Sequence, residues 1–193
     1  PLYIASHNGH VLVARALLDG GANINQADNN GDTPLIIASQ KGHVEVVRAL
    51  LDRGADINQA MNDGITPLYI ASQEGHVEVV RVLLDRGADI NQASNEGCTP
   101  LIKASQEGHV QVVRALLQRR ADINQANNDG ETPLYIASGK GHEDVVRALL
   151  DRGASVNQAT NNGHTPLMLA KAFNHTEIIR LLERAQAQQF SCL

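Results

Sequence analysis

Apolar and polar positions in this chain return in blocks that are near copies of one another. In one block Val79, Val80, Leu83 and Leu84 form an apolar stripe at i, i+1, i+4 and i+5. That spacing predicts an amphipathic helix opened by His76 and closed by Gly87, where a left-handed C-cap is cheap for glycine alone. A shorter helix is predicted just before it, because Leu68, Ala71 and Ser72 recur at helical spacing. Thr66 reads as its N-cap, and Pro67 takes the first helical position, where a missing N–H costs nothing. Gly75 stops it. From Ala88 to Gly97 the pattern predicts an extended, hairpin-like finger with Asn95-Glu96-Gly97 as its turn. Both helices fall short of the ~12–15 residues that a free helix needs in water, so each block depends on its neighbours.

The period is strict. All six prolines, Pro1, Pro34, Pro67, Pro100, Pro133 and Pro166, lie on one series of step 33. A period of this size predicts a stack of supersecondary units instead of one globular core. The unit from Asn62 combines Thr-Pro-Leu-x-x-Ala, a Gly-His joint and a Gly-Ala-Asp-Ile-Asn close, and it resembles the ankyrin repeat. The resemblance covers essentially all 193 residues as six copies. It implies an all-α solenoid of helix-turn-helix repeats joined by hairpin-like loops. The expected segments are 1–27 (partial), 28–60, 61–93, 94–126, 127–159 and 160–193, the last acting as a cap. One departure is consistent: where the family has histidine after Thr-Pro-Leu, this chain has Tyr3, Ile36, Tyr69, Ile102, Tyr135 and Met168. Apolar or Tyr hydroxyl packing is expected to replace the family's hydrogen bonds there.

Composition narrows the partners. Aromatics are 3% of the chain and tryptophan is absent, which leaves packing to Leu, Val, Ile and Ala. A net charge of −5 argues against a surface for nucleic-acid phosphates. No apolar run approaches the ~18–20 residues that span a bilayer, and no secretory leader is visible. Two cysteines, Cys98 and Cys192, make no disulfide framework, so a reduced, intracellular setting is expected, cytoplasmic in preference to nuclear. The chain opens on Pro1 inside what reads as a first helix, and a parent protein extending upstream is expected. Glu183 stands where earlier copies have Leu, and Gly-Ala-Asp does not return after it, as a terminal capping repeat requires.

Arg15, Arg48, Arg81, Arg114, Arg147 and Arg180 form a ladder along the second helices. Glu45, Glu78, Asp144 and Glu177 precede four of them by three residues, and Asp52, Asp85 and Asp151 follow by four. The reading is a solvated face of neutralised pairs, in preference to an anion-binding stripe. His10, His43, His76, His109 and His142 repeat at one place. Stacked helices lie ~8–10 Å apart, too far for these side chains to share a metal ion. His7 and His164 read as surface residues. Ser6, Ser39, Ser72, Ser105 and Ser138 recur beside Ala in mid-helix, and no unique base stands near any of them, so no catalytic residue, cofactor or metal is assigned.

The fourth copy is irregular. Arg120 stands where Gly54 and Gly87 end their helices, which predicts a strained left-handed residue. Lys103 replaces Ile70 or Ile136 and is either a contact residue or a lysine snorkelling from a half-exposed position. Gln111, Gln118 and Cys98 also depart from the other copies. Between copies, variation gathers at the finger tips and late in the first helices. In the ankyrin-like arrangement these positions line the surface with which family members bind other proteins. The partner-binding candidates are Asp32, Met61, Asp63, Ile65, Tyr69, Gln73, Ser94, Glu96, Cys98, Lys103, Gln106, Asp129, Glu131 and Tyr135. Acidic fingers predict a protein or peptide of basic character, bound by a monomer across the groove of repeats two to five, with Met61, Ile65 and Tyr69 as apolar centre. A structural spacer within a larger protein is the alternative. The resemblance also implies that Asn58, Asn91 and Asn124 occupy positions open to asparaginyl hydroxylation. Ser191-Cys192-Leu193 matches a tail that PDZ domains capture.

Overall fold

The computed structural model describes residues 1–190, the side chains of 189 and 190 excepted; the Ser191-Cys192-Leu193 tail lies outside the described residues. Two compact units divide the chain, residues 1–95 and the part from Glu96 onward. The first contains α1 (Leu2–His7), α2 (Val11–Asp19), α3 (Pro34–Gln40), α4 (Val44–Asp52), α5 (Pro67–Glu74) and α6 (Val77–Asp85). The second contains α7 (Pro100–Glu107), α8 (Val110–Gln118), α9 (Pro133–Lys140), α10 (Glu143–Leu150), α11 (Pro166–Ala172) and α12 (Thr176–Phe190). Among the described residues there is no strand. Within each unit first helices pack on first helices, and second helices pack on second helices. This is the helix-turn-helix stacking of an α-solenoid.

A threonine cap starts each first helix from α3 onward, as the repeat pattern predicts. Thr66 Oγ1 accepts the Tyr69 N–H at 3.1 Å, and Thr132 Oγ1 accepts that of Tyr135 at 3.2 Å. Gly75, Gly108 and Gly141 close α5, α7 and α9 in the left-handed conformation. Second helices contribute Val46, Val47 and Leu50 in one unit and Val112, Val113 and Leu116 in the other, all buried.

The joint between helices is built from two residues of different repeats. In the first unit His43 Nε2 lies 2.9 Å from the His7 carbonyl, and His76 Nε2 lies 2.9 Å from that of Gln40. In the second, His142 meets the Gln106 carbonyl at 2.9 Å and His175 meets that of Gly139 at 3.0 Å. A carbonyl can only accept, so each Nε2 carries the proton. His175, the next member at the same step, thus belongs to a series that the sequence reading left at five. The glycines of the joint lie beneath these rings. A Cβ on Gly42 would sit 2.7 Å from His76 Nδ1, and one on Gly141 2.9 Å from His175 Cε1. Positive φ and ring contact together demand glycine here.

Asparagines stitch the fingers. Asn62 donates its backbone N–H to Asn30 O at 3.0 Å and its amide to Asn29 O at 2.9 Å. Asn161 repeats this in the second unit with Asp129 O at 3.0 Å and Asn128 O at 2.9 Å. A second series accepts: Asn58 Oδ1 takes the Asp89 N–H at 2.9 Å, and Asn124 Oδ1 takes that of Ser155 at 2.8 Å. For Asn157 the donor is a side chain, Gln186 Nε2 at 2.6 Å, supplied by the extended helix α12.

The arginine ladder differs from expectation in its partners. Arg48–Glu45 at 3.6 Å and Arg81–Glu78 at 2.7 Å pair within their helices as predicted. Asp52 instead meets Arg86 of the next repeat at 2.8 Å, and Asp19 meets Arg53 in the same way. Arg147 reaches Glu177 at 2.7 Å and not Asp144. An aspartate in the last turn opposes the helix dipole, and a cation from the neighbouring helix relieves that opposition.

Arg120 adopts φ 65°, the left-handed conformation expected of it, and Asn174 adopts φ 58° where the preceding joints have glycine. Arg120→Gly is expected to raise the unfolding free energy by roughly 0.5–1.5 kcal/mol, read as a higher urea midpoint at unchanged slope. Asn174→Gly should gain less, because asparagine tolerates this region.

Candidate partner-binding surface

In the first unit the candidate residues line the fingers and the adjoining ends of the first helices. Asp28 and Asp32 flank one turn, closed by the Asp28 N–H on the Asp32 carbonyl at 3.1 Å, and Met61 and Ile65 flank the next at 2.9 Å. Asp63 is exposed at the tip, its carboxylate accepting the Ile65 N–H at 3.2 Å. Met61, Ile65, Gln73 and Ser94 are half-buried. Tyr69 is only 5% exposed, so little beyond its edge remains for a partner.

Tyr3 and Asp32 form a polar pair that the sequence reading did not connect. The Tyr3 hydroxyl donates to Asp32 Oδ2 at 3.2 Å. Burial first, then the Asp32 charge and this hydrogen bond, push Tyr3 up to about 12. Burial also raises the Asp32 carboxyl above its usual range; the Tyr3 hydrogen bond works against that and the Asp28 charge adds to it. The signal available in the sequence was the departure from histidine at Tyr3, combined with an acid, Asp32, just before the next helix-capping threonine.

In the second unit Glu96 and Asp129 are exposed at finger tips, and their carbonyls accept the N–H groups of Asn128 and Asn161. Glu131 is half-buried and accepts the Asn127 amide at 2.9 Å. Cys98 is 9% exposed, and burial pushes its thiol up, away from the thiolate form a nucleophile needs. Lys103 keeps its stem half-buried and brings its ammonium to 3.8 Å from Glu107, a snorkelling geometry. Tyr135 is 7% exposed, its hydroxyl pushed up by burial and by the Glu131 charge.

Gln106, Glu131 and Tyr135 are brought together in a hollow of roughly 500 Å³, along with Gly139, Leu169 and Phe173. Gly139 borders this space and lets Leu169 pack against its backbone. Gln40, Gln73 and Gln106 occupy its position in other copies, whereas a Cβ on Gly139 would collide with Leu169. Phe173 stands where the four preceding copies have Lys41, Glu74, Glu107 and Lys140. It stacks on His175 with ring centroids 6.0 Å apart yet remains 60% exposed. Sequence reasoning missed Leu169 and Phe173. An aromatic at an otherwise charged repeat position was the clue.

Among the described residues no group of three or more His, Cys, Asp or Glu is placed to hold a metal ion, and no helix is long and apolar enough to cross a membrane. The family model for ankyrin repeats (3 copies) matches residues 1–61, 58–127 and 120–190. The chain belongs to the ankyrin-repeat family. Its fold class is the ankyrin-repeat α-solenoid, typically a non-catalytic scaffold whose general role is protein–protein interaction. No curated protein matches it.

The Tyr3 shift carries a pH signature. Its folded value of about 12 lies above the ordinary tyrosine value of 10.0, so the neutral hydroxyl contributes stability below pH 10 and that contribution is lost as pH rises through 12. Urea titrations of the wild type across this window should show an alkaline loss that Tyr3→Phe reduces. Absorbance of the tyrosinate band should show one tyrosine fewer ionising near pH 12 in that variant.

Proposed function

We propose that this chain is a non-enzymatic, monomeric protein-interaction module of the cell interior, cytoplasmic in preference to nuclear. It binds a protein or peptide of basic character with its finger tips and first-helix surfaces. The hollow beside Gly139 carries this reading. It combines an apolar wall, Leu169 and Phe173, with Glu131 and Lys140, which make no ion pair among the described residues, so the hollow supplies the anchor and the finger tips supply the sign of the charge. Interfaces concentrate their energy where an aromatic or aliphatic anchor enters such a recess beside a charge. The exposed acidic tips Glu96 and Asp129 in this unit, and Asp63 in the other, favour a basic partner. They also disfavour nucleic acid.

Affinity capture with the whole chain and its variants tests the assignment. Phe173→Glu, which installs the residue of two other copies, should weaken capture of the partner by ~1–3 kcal/mol. Ile65→Ala should do the same if that side chain is a second anchor. Charge reversal at Asp63 and Asp129 should mainly slow association and flatten its salt dependence. Arg81→Ala, on the second-helix face, should leave capture intact. Capture insensitive to all the finger and hollow changes would leave a spacer role and place binding elsewhere.

A further inference from the structure

We propose that the second unit carries an oxyanion site between α8 and α10, made by Arg114 and Arg152 and suited to the phosphate class. The argument starts from how arginines of the second helices are neutralised elsewhere. In the first unit Arg48 and Arg81 each meet a glutamate three residues earlier. Arg53 and Arg86 each meet the aspartate that ends the second helix of the preceding repeat, Asp19 and Asp52. Applied to the second unit, the same two offsets lead to glutamines. Arg114 has Gln111 three residues before it, and Arg152 has Gln118 at the end of the preceding second helix. Gln118 also stands four residues after Arg114, where Arg48, Arg81 and Arg147 have aspartate. One glutamine therefore withdraws a carboxylate from the surroundings of both arginines. Among the described residues neither Arg114 nor Arg152 makes an ion pair.

Both arginines line one hollow of roughly 270 Å³ with Leu117, Gln118, Ala148 and Asp151. Leu117 and Ala148 are buried and give it an apolar floor, which limits the water that competes for the guanidinium donors. Asp151 leaves the hollow one positive charge in excess. Two guanidinium groups arriving from different repeats present two donor forks. A planar carboxylate is saturated by one fork, whereas a tetrahedral dianion offers oxygens to both. Gln118, a neutral donor and acceptor, adds a further hydrogen bond without opposing charge.

The test is a titration of the full chain with inorganic phosphate, followed by the arginine side-chain Nε–H resonances. Saturable shifts confined to Arg114 and Arg152 are expected. Arg114→Gln or Arg152→Gln should weaken phosphate by about tenfold or more, the effect of losing a charge-assisted hydrogen bond. Gln118→Asp should weaken it as much while leaving thermal stability at or above wild type, since it restores the acid of the other copies; this variant separates loss of the site from loss of the fold. Acetate should bind at least about tenfold more weakly than phosphate, because it engages one fork. The proposal is overturned if no saturable shift occurs, if Arg48 and Arg81 shift equally, if Gln118→Asp leaves phosphate binding unchanged, or if acetate matches phosphate.

Discussion

Four second helices, α4, α6, α10 and α12, begin with an imidazole that reaches back 36 residues to a backbone carbonyl, over a glycine that has no Cβ to obstruct it. Three features depend on this contact. The carbonyl is one of the orphans left at the end of a first helix, and the imidazole satisfies it without water. The ring fills the gap that the left-handed glycine turn opens. The joint then admits glycine alone, because a Cβ there would come within 2.7–2.9 Å of the ring. Helices of six to nine residues have little stability alone, and a bond that spans repeats supplies what helix propensity lacks. The asparagine series of the fingers does the same for the loops, which explains how they hold their turns without strand pairing.

The scaffold was largely legible in the sequence because each of its rules is local and recurs. Threonine caps, the glycines of the joints and the apolar stripes of the second helices all sit where periodicity placed them. Even the left-handed backbone of Arg120 followed from comparing it with Gly54 and Gly87. Less legible was which neighbour a surface charge would choose. Asp52 was read along its own helix and found its cation on the next, because a stack brings a side chain of the following repeat as close as one on the adjacent turn. The candidate surface was legible as a set of variable positions but not as a shape. Tyr69 and Tyr135 read as contacts and are almost fully covered. The hollow, by contrast, is walled by Leu169, which packs where Gly139 has no side chain, and by Phe173, a residue whose significance appears only beside the space it borders.

These departures share a logic. Where a copy follows the pattern, its side chains are consumed by neighbouring repeats: an imidazole by a carbonyl, an arginine by a carboxylate, an asparagine by a finger. Where a copy departs from it, some capacity for contact is left over. Glycine for glutamine admits a leucine from the next repeat, phenylalanine for a charged residue leaves apolar surface, and glutamine for an acid leaves arginines uncommitted.

The constant offset of the ladders has a consequence for how such a chain can change in length. Donor and acceptor are separated by 31 to 36 residues in these rungs, so a whole block copied in frame delivers its donors to the block before it and offers its acceptors to the block after it. Duplication or loss of whole blocks conserves the register of every interior bond, whereas an insertion of one or two residues between rungs breaks several at once. Genetic growth by tandem copying therefore meets almost no structural resistance in this fold, and single substitutions at the finger tips can then diversify each new copy without disturbing the stitching beneath.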